Sequence, residues 1–175
     1  MNEPVTFIHL RNHTEYSMVD GILRHKPMIK RCKDLNYPAI AMTDQSNICG
    51  LVKFYRLAIN SGVKPIIGVD IWIQDSEISD DVCRLVLLCQ NLKGYRNLTR
   101  IISRSYTEGQ KQGIAIVQFE WLQQWQEGLI VLSGGKEGFI GRSLLLNHPD
   151  LASKSLGRSK AIFGDRFYLE VQRTG

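Results

Sequence analysis

Long apolar runs are missing from this 175-residue chain. No stretch approaches the roughly 20 consecutive apolar residues that a membrane-spanning helix needs. The amino terminus lacks the basic-then-apolar pattern of a secretory leader, so a cytoplasmic location without membrane contact is expected. The four cysteines, Cys32, Cys49, Cys83 and Cys89, contain no C-x-x-C pair. That removes the common zinc and thiol-redox spacings and leaves reduced thiols. Basic residues form no block. The net charge of +5 permits contact with nucleic acid, but the lysines and arginines are scattered and read mostly as a solvated face. Repeats, low-complexity tracts and long linkers are also absent, which fits one domain or part of a larger one. What is present is an ordinary globular composition, 43% apolar and 22% charged, sufficient for a core.

Strand and helix patterns alternate along the chain. An apolar strand is expected over Val5 to Leu10, and a helix from about Pro27 to Leu35 with the apolar stripe Met28, Ile29, Cys32 and Leu35. Ala39 to Met42 reads as a strand and Asn47 to Ile59 as a helix closed by Asn60-Ser61-Gly62. Pro65 to Ile73 is a buried strand, followed by an acidic turn over Asp75 to Asp81. The all-apolar Leu85 to Leu88 fits a parallel sheet. Further on come a basic helix from Leu92 to Tyr106, a short helix from Phe119 to Trp125 whose Trp121, Leu122 and Trp125 read as core, and a strand over Leu129 to Leu132. Helices near Ile140 to Leu146 and from Pro149 to Phe163 precede a last strand, Phe167 to Val171. This alternation implies right-handed parallel crossovers, with polar sites at the carboxyl ends of strands.

Chemistry concentrates in one segment. Between Phe7 and Gly21 the chain places His9, Arg11, His13, Asp20 and a Thr14/Glu15/Ser17 cluster. In an extended segment His9, Arg11 and His13 share a face. Two imidazoles and a nearby carboxylate are metal-site chemistry, yet the residue between them is a permanent cation. His25 and His148 sit beside prolines at helix entries and read as surface or capping residues. Ser133 lies in a glycine-rich turn and lacks a suitably placed histidine for triad chemistry. Arg96, Arg100 and Arg104 recur at four-residue steps, read as a wet face in preference to a phosphate ladder.

The first segment resembles the opening motif of the PHP (polymerase and histidinol phosphatase) family. The likeness runs on through Pro38 to Tyr55, Gly62 to Asp70, Gly94-Tyr-Arg-Asn-Leu98, Gly128 to Gly135 and Phe167 to Arg173. Within the family these stretches are most similar to the amino-terminal PHP domain of bacterial DNA polymerase III alpha subunits. The resemblance implies an α/β fold of the PHP type, a distorted (β/α) barrel, with residues 1–175 as the amino-terminal part of a longer polypeptide. It also implies a place in the bacterial cytoplasm within the replicase. The expected partners are its proofreading exonuclease subunit and the other polymerase III holoenzyme subunits. DNA, and the Mg2+ of nucleotidyl transfer, would be engaged by the parent polymerase outside these residues.

PHP enzymes hold a metal cluster that activates water for phosphoester hydrolysis. Carried over residue by residue, the resemblance marks Arg11, His13, Asp20, Gln45, Asp70, Arg84 and Gly135 as the positions of such a site. His13, Asp20 and Asp70 retain ligand chemistry. Arg11 and Arg84 replace histidines, Gln45 replaces a histidine and Gly135 replaces a cysteine. A guanidinium neither coordinates a cation nor loses its proton. The expectation is therefore a vestigial site with no metal, no catalytic residue in this stretch, and an arginine paired with Asp20, Asp44 or Asp70. Two functions remain to be weighed: a structural and interaction module of a DNA-directed DNA polymerase, and an active metal-dependent phosphoesterase. A free-standing DNA-binding domain has less support, since no basic-aromatic stacking motif stands out.

Overall fold

The computed structural model describes residues 7–18 and 20–172. Its contacts divide into two units, Met1–Val69 and Asp70–Gly175. Thirteen regular elements are found among the described residues. The expected Val5 to Leu10 strand is not one of them: residues 5 and 6 lie outside the described part, and 7–10 join no ladder. They still run beside the next strand, β1 (Ala39–Met42), because Ala41 N–H donates to His9 O at 3.0 Å and Thr43 N–H to Asn12 O at 3.0 Å.

In the first unit α1 (His25–Asp34) and α2 (Leu51–Asn60) accompany β1 and the opening of β2 (Lys64–Asp75). β1 pairs in parallel with β2, from Ala39 opposite Lys64 to Met42 opposite Ile67. The spacing of Met28, Ile29 and Cys32 turns one stripe of α1 inward onto Ile40, Met42, Phe54, Ala58 and Val63. Pro27 is the third helical residue, where its missing N–H is still one of the donors a helix start leaves unused. α2 begins four residues later than its pattern suggests. The Asn47 side chain is spent on the preceding turn, accepting from Cys49 N–H at 3.0 Å and donating to Tyr16 O and Gln45 O.

The second unit contains the remainder of β2, then β3 (Ser79–Cys89), α3 (Leu92–Thr107), β4 (Gln110–Lys111), β5 (Ile114–Gln118), α4 (Phe119–Trp125), β6 (Leu129–Leu132), α5 (Phe139–Leu145), α6 (Pro149–Phe163) and β7 (Phe167–Tyr168). β2 pairs in parallel with β5, and β6 with β7. β3, however, runs antiparallel to β6, and β4 antiparallel to β5. The expectation of parallel crossovers throughout is thus corrected. Only three residues separate β2 from β3, far too few for a crossover, and of the acidic residues expected in a turn Asp75 ends β2 while Asp80 and Asp81 lie inside β3. The β4–β5 hairpin is absent from the sequence reading. It turns on Gln112 and Gly113, with φ of 53° and 80°. α3 packs on β3, β5 and β6, burying Leu98 and Ile101. Arg158 of α6 forks onto the buried Asp75 at 2.9 and 3.2 Å and also reaches Glu77, tying the β2–β3 turn down.

Candidate functional site

In the first unit the polar segment closes around Asp44, which is wholly buried at the end of β1. Its Oδ1 accepts from Thr14 N–H at 2.5 Å and Ser17 Oγ at 2.9 Å, and its Oδ2 accepts from Thr14 Oγ1 at 2.8 Å. Ser17 Oγ in turn accepts from Gln45 N–H at 3.0 Å. A buried carboxylate needs such a shell, since an unpaired charge is costly away from water. The donors come from a 3-10 turn over Glu15–Ser17, capped by Thr14. Gly21 is required beside it, since a Cβ there would lie 1.6 Å from Thr14 O. His13 Nδ1 lies 2.7 Å from Asp20 Oδ2. Of the three carboxylates offered to a substitute arginine, Asp44 is thus met by hydroxyl and amide donors and Asp20 by an imidazole.

His25 departs from its expected surface role. It is 1% exposed, stacked on Tyr16 with ring centroids 5.3 Å apart, and tilted against Phe54 at 5.9 Å. Neither ring nitrogen has a hydrogen-bond partner among the described residues. Burial is the main cause that holds its pKa below the usual histidine value, and Lys53 acts in the same direction. The neutral imidazole is accordingly a core ring. His9 is exposed, in edge contact with Phe7 and near Tyr37.

The second unit holds the remaining positions. Asp70 is fully buried in β2, and Arg84 of β3, 5% exposed, donates from Nε to Asp70 Oδ1 at 2.8 Å. This is the arginine–carboxylate pairing that the charge argument anticipates. The guanidinium also lies 4.5 Å from the Trp72 ring centroid, which fixes its plane. One terminal nitrogen, Nη2, is buried without a hydrogen-bond partner among the described residues. Gly134 and Gly135 follow β6 with φ of 77° and 58°. A Cβ on Gly134 would sit 2.2 Å from Arg84 O, and one on Gly135 3.3 Å from Gln172 Oε1. The turn therefore packs closely against the Arg84 carbonyl of β3, and Gly135 offers no side chain at this end of β6. Ser133 Oγ accepts from Glu170 N–H at 2.9 Å, a structural role in that turn. Arg173 lies outside the described residues.

Residues 9–174 match the PHP domain family. The chain belongs to that family. Similarity is high to proteins named DNA polymerase III subunit alpha: 51% identity over 97% of the chain for the one from Pseudomonas aeruginosa, and 43% over the whole chain for the one from Escherichia coli K12. The PHP chain described here spans only 14% and 15% of the length of those relatives. Among solved structures, a Bifidobacterium adolescentis protein, provisionally described as a metal-dependent phosphoesterase, is 13% identical. It covers 99% of this chain and 62% of its own, with a TM-score of 0.43. Among the described residues no group of three or more His, Cys, Asp or Glu is arranged to hold a metal ion. No helix among them is long and apolar enough to cross a membrane.

Proposed function

We propose that this PHP domain is a structural and docking module of a bacterial DNA polymerase III alpha subunit, carrying a phosphoesterase site that has lost its metals. The observation that carries the reading is the state of the carboxylates. The donor set does not fit a metal cluster. Asp44 already accepts three hydrogen bonds from within the protein. Asp70 is held by a guanidinium that stands where the family has a neutral histidine. At Gly135, a left-handed backbone position with no side chain, nothing can coordinate. Fixed positive charge and missing ligands act in the same direction, against a divalent cation.

In this reading nucleotidyl transfer and its Mg2+ belong to the parent polymerase, in the cytoplasm. The module's contribution is a surface for the proofreading exonuclease and other replicase subunits. One contact favours the alternative of an active phosphoesterase: the His13–Asp20 pair is the carboxylate–imidazole arrangement that often orients a metal-bound histidine. Elemental analysis of the purified chain, together with p-nitrophenyl phosphate hydrolysis in added manganese or zinc, separates the two readings. The module reading expects traces of metal and turnover no faster than a buffer blank. Stoichiometric metal with turnover abolished by His13→Ala would establish the phosphoesterase instead. Co-purification with the replicase's own exonuclease subunit tests the docking role directly.

A further inference from the structure

The outer face of α3 carries chemistry that the vestigial site does not use. From Leu92 to Thr107 the helix has four cationic side chains, Lys93, Arg96, Arg100 and Arg104, and no acidic one. Two of the four are neutralised: Lys93 lies 3.6 Å from Glu127, and Arg104 donates to Glu108 at 2.7 Å. Arg96 and Arg100 are exposed, and neither guanidinium has an ion-pair partner among the described residues. They stand one turn apart, so their charges rise along the helix at intervals of about 6 Å.

Beside Arg100 an open cleft of about 510 Å³ is lined by Thr99, Ser103, Arg104, Thr107, Glu108 and Trp125. Thr99, Ser103 and Thr107 recur at the four-residue helical step and share that side of α3, with the two threonine hydroxyls donating back to helix carbonyls. Trp121 and Trp125, expected to be core, are only half-buried. The Arg104 guanidinium lies 4.4 Å from the first ring centroid and 5.5 Å from the second, leaving Arg104 wedged against both indoles. The basic-aromatic interleaving that the sequence does not display is therefore assembled by packing α4 against α3. Glu108 is the acidic group lining the cleft, and its charge is already met by Arg104.

We propose that this α3–α4 face binds single-stranded nucleic acid without sequence preference, through Arg96 and Arg100 on phosphates and Trp125 against a base. Such sites combine a cationic track for the backbone with an aromatic platform for bases. An acidic peptide would satisfy the guanidiniums but would leave the indole without a role. A single strand uses both. The inference does not depend on the metal site or on the module reading above, and it places a nucleic-acid contact within this chain.

Fluorescence anisotropy of a labelled 20-nucleotide oligothymidylate, titrated with the purified 175-residue chain at several salt concentrations, is the test. The Arg96→Ala/Arg100→Ala pair is expected to weaken binding about tenfold or more at low salt. It should also lower the salt slope by about 1.4, at about 0.7 per phosphate contact. Trp125→Leu is expected to weaken binding about fivefold with the slope unchanged. An Arg31→Ala/Arg56→Ala pair on exposed faces of α1 and α2 removes the same net charge and should retain nearly full affinity. No binding at low salt would overturn the proposal, as would equal losses from the two arginine pairs. Preferential capture of a polyglutamate peptide by the same arginines would also overturn it, in favour of an acidic protein partner.

Discussion

Asp70→Leu isolates the buried ion pair between β2 and β3. Asp70 is fully buried and Arg84 is 5% exposed, so removing the carboxylate strands a guanidinium inside the protein. Unit charges about 4 Å apart attract by about 4 kcal/mol at an effective dielectric of 20. Breaking a buried pair from one side typically costs about 3–5 kcal/mol. The Trp72 face holds the guanidinium in place and prevents an easy swing to solvent, while recovering only a fraction of the loss. Domain stabilities are about 5–15 kcal/mol, so the variant should sit near the edge of folding. At about 2–4 °C per kcal/mol, its melting temperature should fall by roughly 6–20 °C. Asp70→Leu/Arg84→Met, which buries neither charge, should recover a substantial part of that. Far-UV circular dichroism melts of parent, single and double variants decide the matter. A single variant melting within about 2 °C of the parent, or a double variant no better than the single, would refute the buried-pair reasoning.

Three further outcomes are expected. His25 is buried and held below its ordinary pKa, so the unfolded chain binds its proton more readily than the folded one; stability is full above pH 6.5 and declines as pH falls toward the depressed folded pKa. Urea melts at stepped pH should show this acid loss, and His25→Phe, which keeps a ring against Tyr16 and Phe54, should reduce its slope. Of the four cysteines only Cys49 is exposed, while burial pushes Cys83 up to about 11 and Cys89 up to about 12. Ellman's reagent on the native chain should therefore titrate one thiol rapidly and the other three only after denaturation. Gly94→Ala should leave little soluble protein, or a chain destabilised by about 3 kcal/mol or more, because the added Cβ would lie 1.9 Å from Gly128 O. Comparison of its soluble yield and urea midpoint with those of Gly157→Ala, where the space is open, provides the control.

The parts of the fold that were legible in the sequence are those where local pattern and tertiary burial agree. Ala39–Met42, Leu129–Leu132, Phe119–Trp125 and Pro149–Phe163 end where turn and helix-start signals place them. The direction of β3 was not legible for a physical reason. An unbroken apolar run such as Leu85 to Leu88 reports burial on both faces, and burial is indifferent to whether the neighbouring strand is parallel. The two-residue β4 lies below the length at which alternation carries information. Gln112-Gly113 ahead of the β-branched Ile114, Ile116 and Val117 was the available signal for its hairpin. The burial of His25 was hidden for the opposite reason: Tyr16 and Phe54, which enclose it, are 9 and 29 positions away along the chain.

Several glycines are required by backbone packing within the chain: a Cβ would meet Thr14 O at Gly21, Arg84 O at Gly134 and Gly128 O at Gly94. These are motif residues of the family resemblance, and in this chain their geometry alone explains why the motifs read so clearly. The carboxylates face a separate constraint. A buried aspartate must be matched by positive charge or by hydrogen-bond donors, or it destabilises the fold. Asp70 is matched by a guanidinium and Asp44 by a threonine, a serine and a backbone amide. Arg84 of β3 supplies the charge that lets Asp70 remain buried. By the same logic, Arg84→His removes the compensating guanidinium from Asp70 and should lower the melting temperature, as circular dichroism melts beside the parent would read. A variant melting like the parent would show that the guanidinium is dispensable to the buried carboxylate.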